Sequence, residues 1–117
     1  MSLNPVDVVN RLRERLSQRS PEDLSAEASA KALLPELTRA LRSAGAKRIV
    51  LFGSLADGPF RIGSDIDLAV AGLTERTLAG LEHEFTILAR RPVELANLDS
   101  APESLRRSID RFGVELT

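Results

Sequence analysis

At 117 residues, with 43% apolar and 28% charged side chains and no composition break or long Gly/Ser/Pro-rich linker, the chain has the makeup of one globular core and lies away from compositions that stay unfolded. A formal net charge of −1 gives no global attraction to a polyanion, so stable nucleic-acid binding is not expected and any phosphate site must be local. The absence of cysteine removes disulfides, thiolate metal sites and cysteine nucleophiles, and the one histidine, His83, sits between Glu82 and Glu84 on what reads as an exposed helix face, which leaves the chemistry to carboxylates.

The stretch from Met1 to Arg19 is charged throughout and holds no apolar run of the signal-peptide kind, and nothing reaches membrane-spanning length, so a cytoplasmic protein with no membrane partner is expected. Asn4 and Pro5 are a capping residue and a favoured first helical residue, and Val6, Val9, Leu12 and Leu16 follow at helical spacing, which predicts a helix over 5–18. That basic, apolar-striped helix can pack on its own domain, dock a partner or self-associate, leaving homo- and hetero-oligomers open. Ser20-Pro21-Glu22-Asp23 repeats the start signal. The next helix carries Leu34, Leu37, Leu41 and Ala44, meets an interior Pro35 that should kink or restart it, and stops at Gly45.

The period then changes. Arg48 to Phe52 is a short continuous apolar run of the buried-strand kind, ending at Gly53, and Asp65 to Val70 is the next strand. Thr74 can cap a helix striped by Leu78, Leu81, Phe85 and Leu88, and Pro92 to Leu98 makes a third strand. Ser100 and Pro102 open a last helix with Leu105, Ile109 and Phe112, closed by Gly113 before a short extended Val114-Glu115-Leu116. The sum is an α+β fold, a small mixed sheet backed by helices, read as a helical extension over 1–45 packed on a core over 46–117.

The chemistry gathers between the first two strands. Side chains alternate along a strand, so Asp65 and Asp67 share one face while Ile66, Leu68 and Val70 enter the core. Two converging carboxylates tolerate each other when a divalent cation sits between them, and hard oxygen ligands suit Mg²⁺ or Mn²⁺. Gly53 permits a sharp turn at the end of the preceding strand, and Ser54 adds a hydroxyl beside backbone N–H groups left unpaired by a following short helix, a corner that suits phosphate. A phosphate cradle and a metal-binding acid pair on neighbouring strand ends are the two parts a nucleoside triphosphate site requires.

Gly53-Ser54, ten intervening residues and then Asp65-Ile66-Asp67 resemble the signature of the DNA polymerase β-like nucleotidyltransferases, and of their minimal nucleotidyltransferase branch in particular. Phe52, Gly58 and the run from Ser64 to Val70 extend the resemblance, which spans residues 46–116. It implies a polymerase β-like nucleotidyltransferase fold with an N-terminal helical extension. It also implies Gly53, Ser54, Ser64 and Arg61 as nucleotide-binding residues, and Asp65, Asp67 and a third carboxylate on the next strand as metal ligands and catalytic groups. Pro92-Val93-Glu94-Leu95 stands where the family usually has Val-Asp-Leu, which makes Glu94 the third acid. Two positions depart from the branch: Leu55 stands where Arg is frequent, and Asp57 replaces a frequent basic residue before the second glycine. Arg61, or Arg90 and Arg91 ahead of the third strand, are the cations placed to compensate.

The resemblance implies a Mg²⁺- or Mn²⁺-dependent transferase that moves AMP from ATP to a hydroxyl on a protein, as the antitoxin of a toxin–antitoxin pair whose toxin is a helical HEPN-domain partner. Its alternative is a catalytically weak or inactive binding module of the same fold that neutralises its partner by contact. Transfer to a small molecule such as an aminoglycoside is disfavoured, because such enzymes carry further substrate-binding segments.

Overall fold

Residues 20–117 are described in the computed structural model, and the helix expected over 5–18 lies outside them. Ser20 caps helix α1 (Pro21–Ala44): its hydroxyl accepts the Asp23 N–H at 3.1 Å and its own N–H donates to the Asp23 carboxylate at 3.1 Å, satisfying two donors that a first turn leaves without partners. Where the sequence predicts a kink or restart at Pro35, the helix runs through unbroken. Pro35 and Lys31, whose carbonyl loses its partner, are both exposed, so water can take that carbonyl, while the fully buried Leu37 and Leu41 hold the opposite face.

Strands β1 (Arg48–Phe52), β2 (Ile66–Ala71), β3 (Val93–Asn97) and β4 (Val114–Glu115) form one mixed sheet in the order β3-β2-β1-β4. β1 runs antiparallel to β2 and β4, and β3 runs parallel to β2. A parallel pair needs a long crossover, here made by helix α3 (Glu75–Ala89), which Thr74 caps through the Thr77 N–H. The one-turn helix α2 (Ser54–Asp57) follows β1, and helix α4 (Glu103–Phe112) leads into β4.

Both faces of the sheet are covered at β1, which explains why that strand reads as a continuous apolar run rather than an alternating one. Ile49 and Leu51 of β1, Ile66, Leu68 and Val70 of β2, and Val93 and Leu95 of β3 pack on one face with Leu37 and Leu41 of α1 and Leu78 and Phe85 of α3. Val50 and Ala69 on the other face pack with Leu98 and with Ile109 of α4. Leu88, expected on the α3 stripe, and Phe112, expected on that of α4, remain about half exposed at 47% and 46%, because each lies at the last turn of its helix beyond the covered area. His83 is exposed, as its acidic flanks predict. The second sheet face is only partly roofed by α4, and the uncovered end of that face carries the acids.

Candidate active site

Asp67 lies in the middle of the sheet, opposite Phe52 of β1 and opposite Glu94 of β3. Residues in register on adjacent strands present their side chains to the same face, so the sheet itself brings Asp67 and Glu94 together. Asp65, immediately before β2 and two residues from Asp67, shares that face by strand alternation. Oxygen atoms of Asp65, Asp67 and Glu94 all lie within 4.8 Å of one another, with Asp67 half-buried and the outer two exposed. Burial pushes the Asp67 carboxyl up to about 6, with the negative charge of Glu94, a hydrogen bond between the two carboxyls and the charge of Asp65 adding to the shift. Three carboxylates this close together offer an oxygen-only donor set that fits a hard divalent cation, whose charge would relieve their mutual repulsion.

The turn beside the acids is shaped by a contact at Gly53. Its φ of 71° and ψ of −159° lie outside the range of ordinary L residues, and a Cβ built there would overlap the Asp67 carboxylate. Asp67 can therefore reach the site only across a residue without a side chain. The Gly53 carbonyl accepts N–H groups from Ala56 at 3.1 Å and Asp57 at 3.0 Å, closing α2 and leaving the N–H groups of its first residues without carbonyls to bind inside the helix. Leu55, 4% exposed, pins this turn into the core, so its side chain is directed away from the solvent side where a phosphate would lie. A cleft of about 220 Å³ opens between this turn and α4, walled by Phe52, Gly53, Ser54 and Asp57 on one side and Ser108 and Phe112 on the other. None of the three acids lines this cleft itself, which adjoins them through Gly53, and none lines the two larger grooves along α1.

The loop leading to Asp65 is tied down by residues distant in sequence. Ser64 closes a tight turn, its hydroxyl accepting the Arg61 N–H at 2.9 Å and its N–H donating to the Arg61 carbonyl at 2.9 Å. The Asp23 carboxylate accepts the Ile62 N–H at 2.8 Å and faces the Arg61 guanidinium at 3.8 Å, and these backbone N–H groups, that of Ile62 foremost, hold its carboxyl below the usual aspartate range. Arg91 donates to the carbonyls of Ser64 at 2.8 Å and Ile62 at 3.3 Å, and its guanidinium stacks 4.9 Å from the centre of the Phe60 ring.

Of the residues singled out in the sequence, the structure brings Asp65, Asp67 and Glu94 into one cluster and sets Gly53 and Ser54 beside it. Ser64 and Arg61 sit in the loop that enters the cluster, with the Arg61 guanidinium against Asp23. In the sequence Asp23 advertises only a helix cap, and Arg91 only a cation near the third strand. No local pattern marks a bond from Asp23 to a residue 39 positions away.

A family model described as polymerase β nucleotidyltransferase matches residues 36–117. Among solved structures, one assigned as a minimal nucleotidyltransferase is 28% identical, with a TM-score of 0.67 over 77% of this chain and 95% of that one. A toxin–antitoxin structure containing AMP-PNP is 27% identical, with a TM-score of 0.66 over 71% of each chain. A complex of tri-AMPylated HEPN toxin with MNT antitoxin from Shewanella oneidensis shares the fold at 23% identity, with a TM-score of 0.56 over 81% of this chain and 71% of that one. No curated protein matches the sequence at a comparable level. None of the helices among the described residues is long and apolar enough to cross a membrane. The mixed sheet and its helices thus agree with the family match over most of the chain, which belongs to the polymerase β nucleotidyltransferases.

Proposed function

We propose that this chain transfers AMP from ATP to a hydroxyl of a helical HEPN-type protein, acting as the antitoxin of a toxin–antitoxin pair. The observation that carries the proposal is the convergence of Asp65, Asp67 and Glu94 within 4.8 Å beside the Gly53-Ser54 turn. The nucleotide in one similar structure and the AMPylated toxin in another support the choice of ATP and of a protein acceptor.

Asp65, Asp67 and Glu94 would hold Mg²⁺ or Mn²⁺, which when bound supplies positive charge against the phosphates and the leaving pyrophosphate. Ser54 and the N–H groups of the α2 turn hold the β- and γ-phosphates. The acceptor oxygen attacks the α-phosphorus, an O–P bond forms, and the bond from that phosphorus to the bridging oxygen breaks, pyrophosphate leaving with the electron pair. Glu94, the outermost acid, takes the hydroxyl proton. Incubation with Mg²⁺, the partner and ATP labelled at the α-phosphate tests this: label enters the partner with wild type and is lost with Asp65→Asn/Asp67→Asn. Label transfer that is absent in wild type, or equal in the double variant, would overturn it.

One observation favours a second reading, a module that binds its partner without transfer. Asp57 places a negative charge on the wall of the cleft that holds Ser54, where a phosphate would be repelled. Inhibition of the partner that persists in Asp65→Asn/Asp67→Asn supports that reading.

A further inference from the structure

We propose that Arg91 and Asp23 are positioning residues that clamp the loop before Asp65, Asp23 through a backbone N–H and Arg91 through two carbonyls, and so set where the Asp65 carboxylate meets Asp67 and Glu94; the proposal rests on the reading of those acids as a metal site. Asp65 is the least supported of the three acids. Asp67 is fixed by its place inside the sheet and Glu94 by its register on β3, whereas Asp65 precedes the strand and follows an exposed loop of Arg61, Ile62 and Gly63. A ligand on such a loop is held no better than its backbone.

The backbone here is held by two ionic side chains from elements remote in sequence. The Asp23 carboxylate, on a residue only 8% exposed, receives the Ile62 N–H at 2.8 Å while its other oxygen receives the Ser20 N–H at 3.1 Å, so one side chain both starts α1 and anchors the loop. One nitrogen of Arg91 is in turn shared between the Ser64 carbonyl at 2.8 Å and the Ile62 carbonyl at 3.3 Å. The Ser64 carbonyl belongs to the peptide that joins Ser64 to Asp65, so the Arg91 bond acts one peptide away from the ligand. Stacking of the guanidinium on the fully buried Phe60 fixes the arginine in turn. Charged donors and acceptors make the stronger class of hydrogen bond, and outer residues that orient metal ligands affect affinity without touching the metal.

The test is Mn²⁺ binding by the full chain, read from the free-ion electron paramagnetic resonance signal, together with amide hydrogen exchange at Ser64, whose N–H closes the clamped turn. Arg91→Ala is expected to weaken Mn²⁺ binding by about tenfold, and Asp23→Asn by a smaller factor, with the circular dichroism spectrum unchanged. Arg91→Lys, which keeps a charged donor for the Ser64 carbonyl, recovers part of the loss. The loss in Arg91→Ala/Asp65→Asn equals that in Asp65→Asn alone, because the clamp acts through Asp65; a general loosening of the fold gives additive losses instead and overturns the proposal. Wild-type binding by Arg91→Ala overturns it as well. Should the wild type itself bind no Mn²⁺, the metal reading fails separately, and exchange at Ser64 then decides the clamp: at least about tenfold faster exchange in Arg91→Ala supports it, and an unchanged rate overturns it.

Discussion

Gly53 and Asp67 share one space: a Cβ at Gly53 would stand 3.1 Å from the Asp67 Cγ and overlap the carboxylate beyond it. The glycine at the end of β1 therefore serves the acid on β2 as much as the turn. Gly53→Ala must strain a φ of 71° and displace Asp67 at once. The expected result is a loss of about 1–3 kcal/mol in denaturant unfolding together with loss of metal binding. A variant that binds Mn²⁺ normally contradicts this account of the turn.

Asp67 predicts a pH dependence with an unusual sign. Its carboxyl is raised from 3.8 to about 6, so the folded metal-free protein binds a proton more tightly than the unfolded chain does. The stability this proton confers is fully present below the unfolded value near pH 4 and is lost as pH rises through 6. In the presence of EDTA, Asp67→Asn is expected to be more stable than wild type at pH 8, by on the order of 1 kcal/mol once the half exposure of the group is allowed for, and the gap closes towards pH 4. Thermal melts of the two proteins between pH 4 and 8 measure it. Mg²⁺ competes with the same proton, so the shift it gives to the wild-type melting temperature should shrink as pH falls through 6.

Glu94 is exposed on the outermost strand, where a neutral isostere costs the fold little. Glu94→Gln should leave the melting temperature in EDTA within about 2 °C of wild type, since surface changes are worth about half a kcal/mol. Transfer of AMP should fall by about a hundredfold or more, in keeping with the loss of a group that takes a proton. Unchanged transfer removes Glu94 from the chemistry.

Leu37 and Leu41 of α1 are fully buried in the cluster that lines the sheet face opposite the acids. Leu41→Ala is expected to cost about 2–5 kcal/mol in urea unfolding, as for other large-to-small changes in a packed core. A cost under about 1 kcal/mol contradicts the packing of α1 as part of the same core.

The sequence made the sheet and the acid pair legible for physical reasons that can be named. A buried strand must be apolar on both faces when helices cover both, and Ile49-Val50-Leu51 shows it; period-two alternation placed Asp65 and Asp67 on one side; and a glutamate between Val93 and Leu95 stood out on a strand that otherwise packs inward. Pro35 was misleading because its cost depends on which face it occupies, and burial is a tertiary fact. Leu55 read as a missing cation until the structure placed it in the core. The bonds from Asp23 to Ile62 and from Arg91 to Ser64 join residues 39 and 27 apart, and no local spacing encodes them.

Transfer of AMP to the HEPN-type partner is read without a label by mass spectrometry of that partner after incubation with the protein, Mg²⁺ and ATP. A mass increase of whole adenylyl units, each AMP less water, is expected on a hydroxyl side chain with wild type, and none with Asp65→Asn/Asp67→Asn. An unmodified partner after incubation with folded, Mg²⁺-loaded wild type would contradict it.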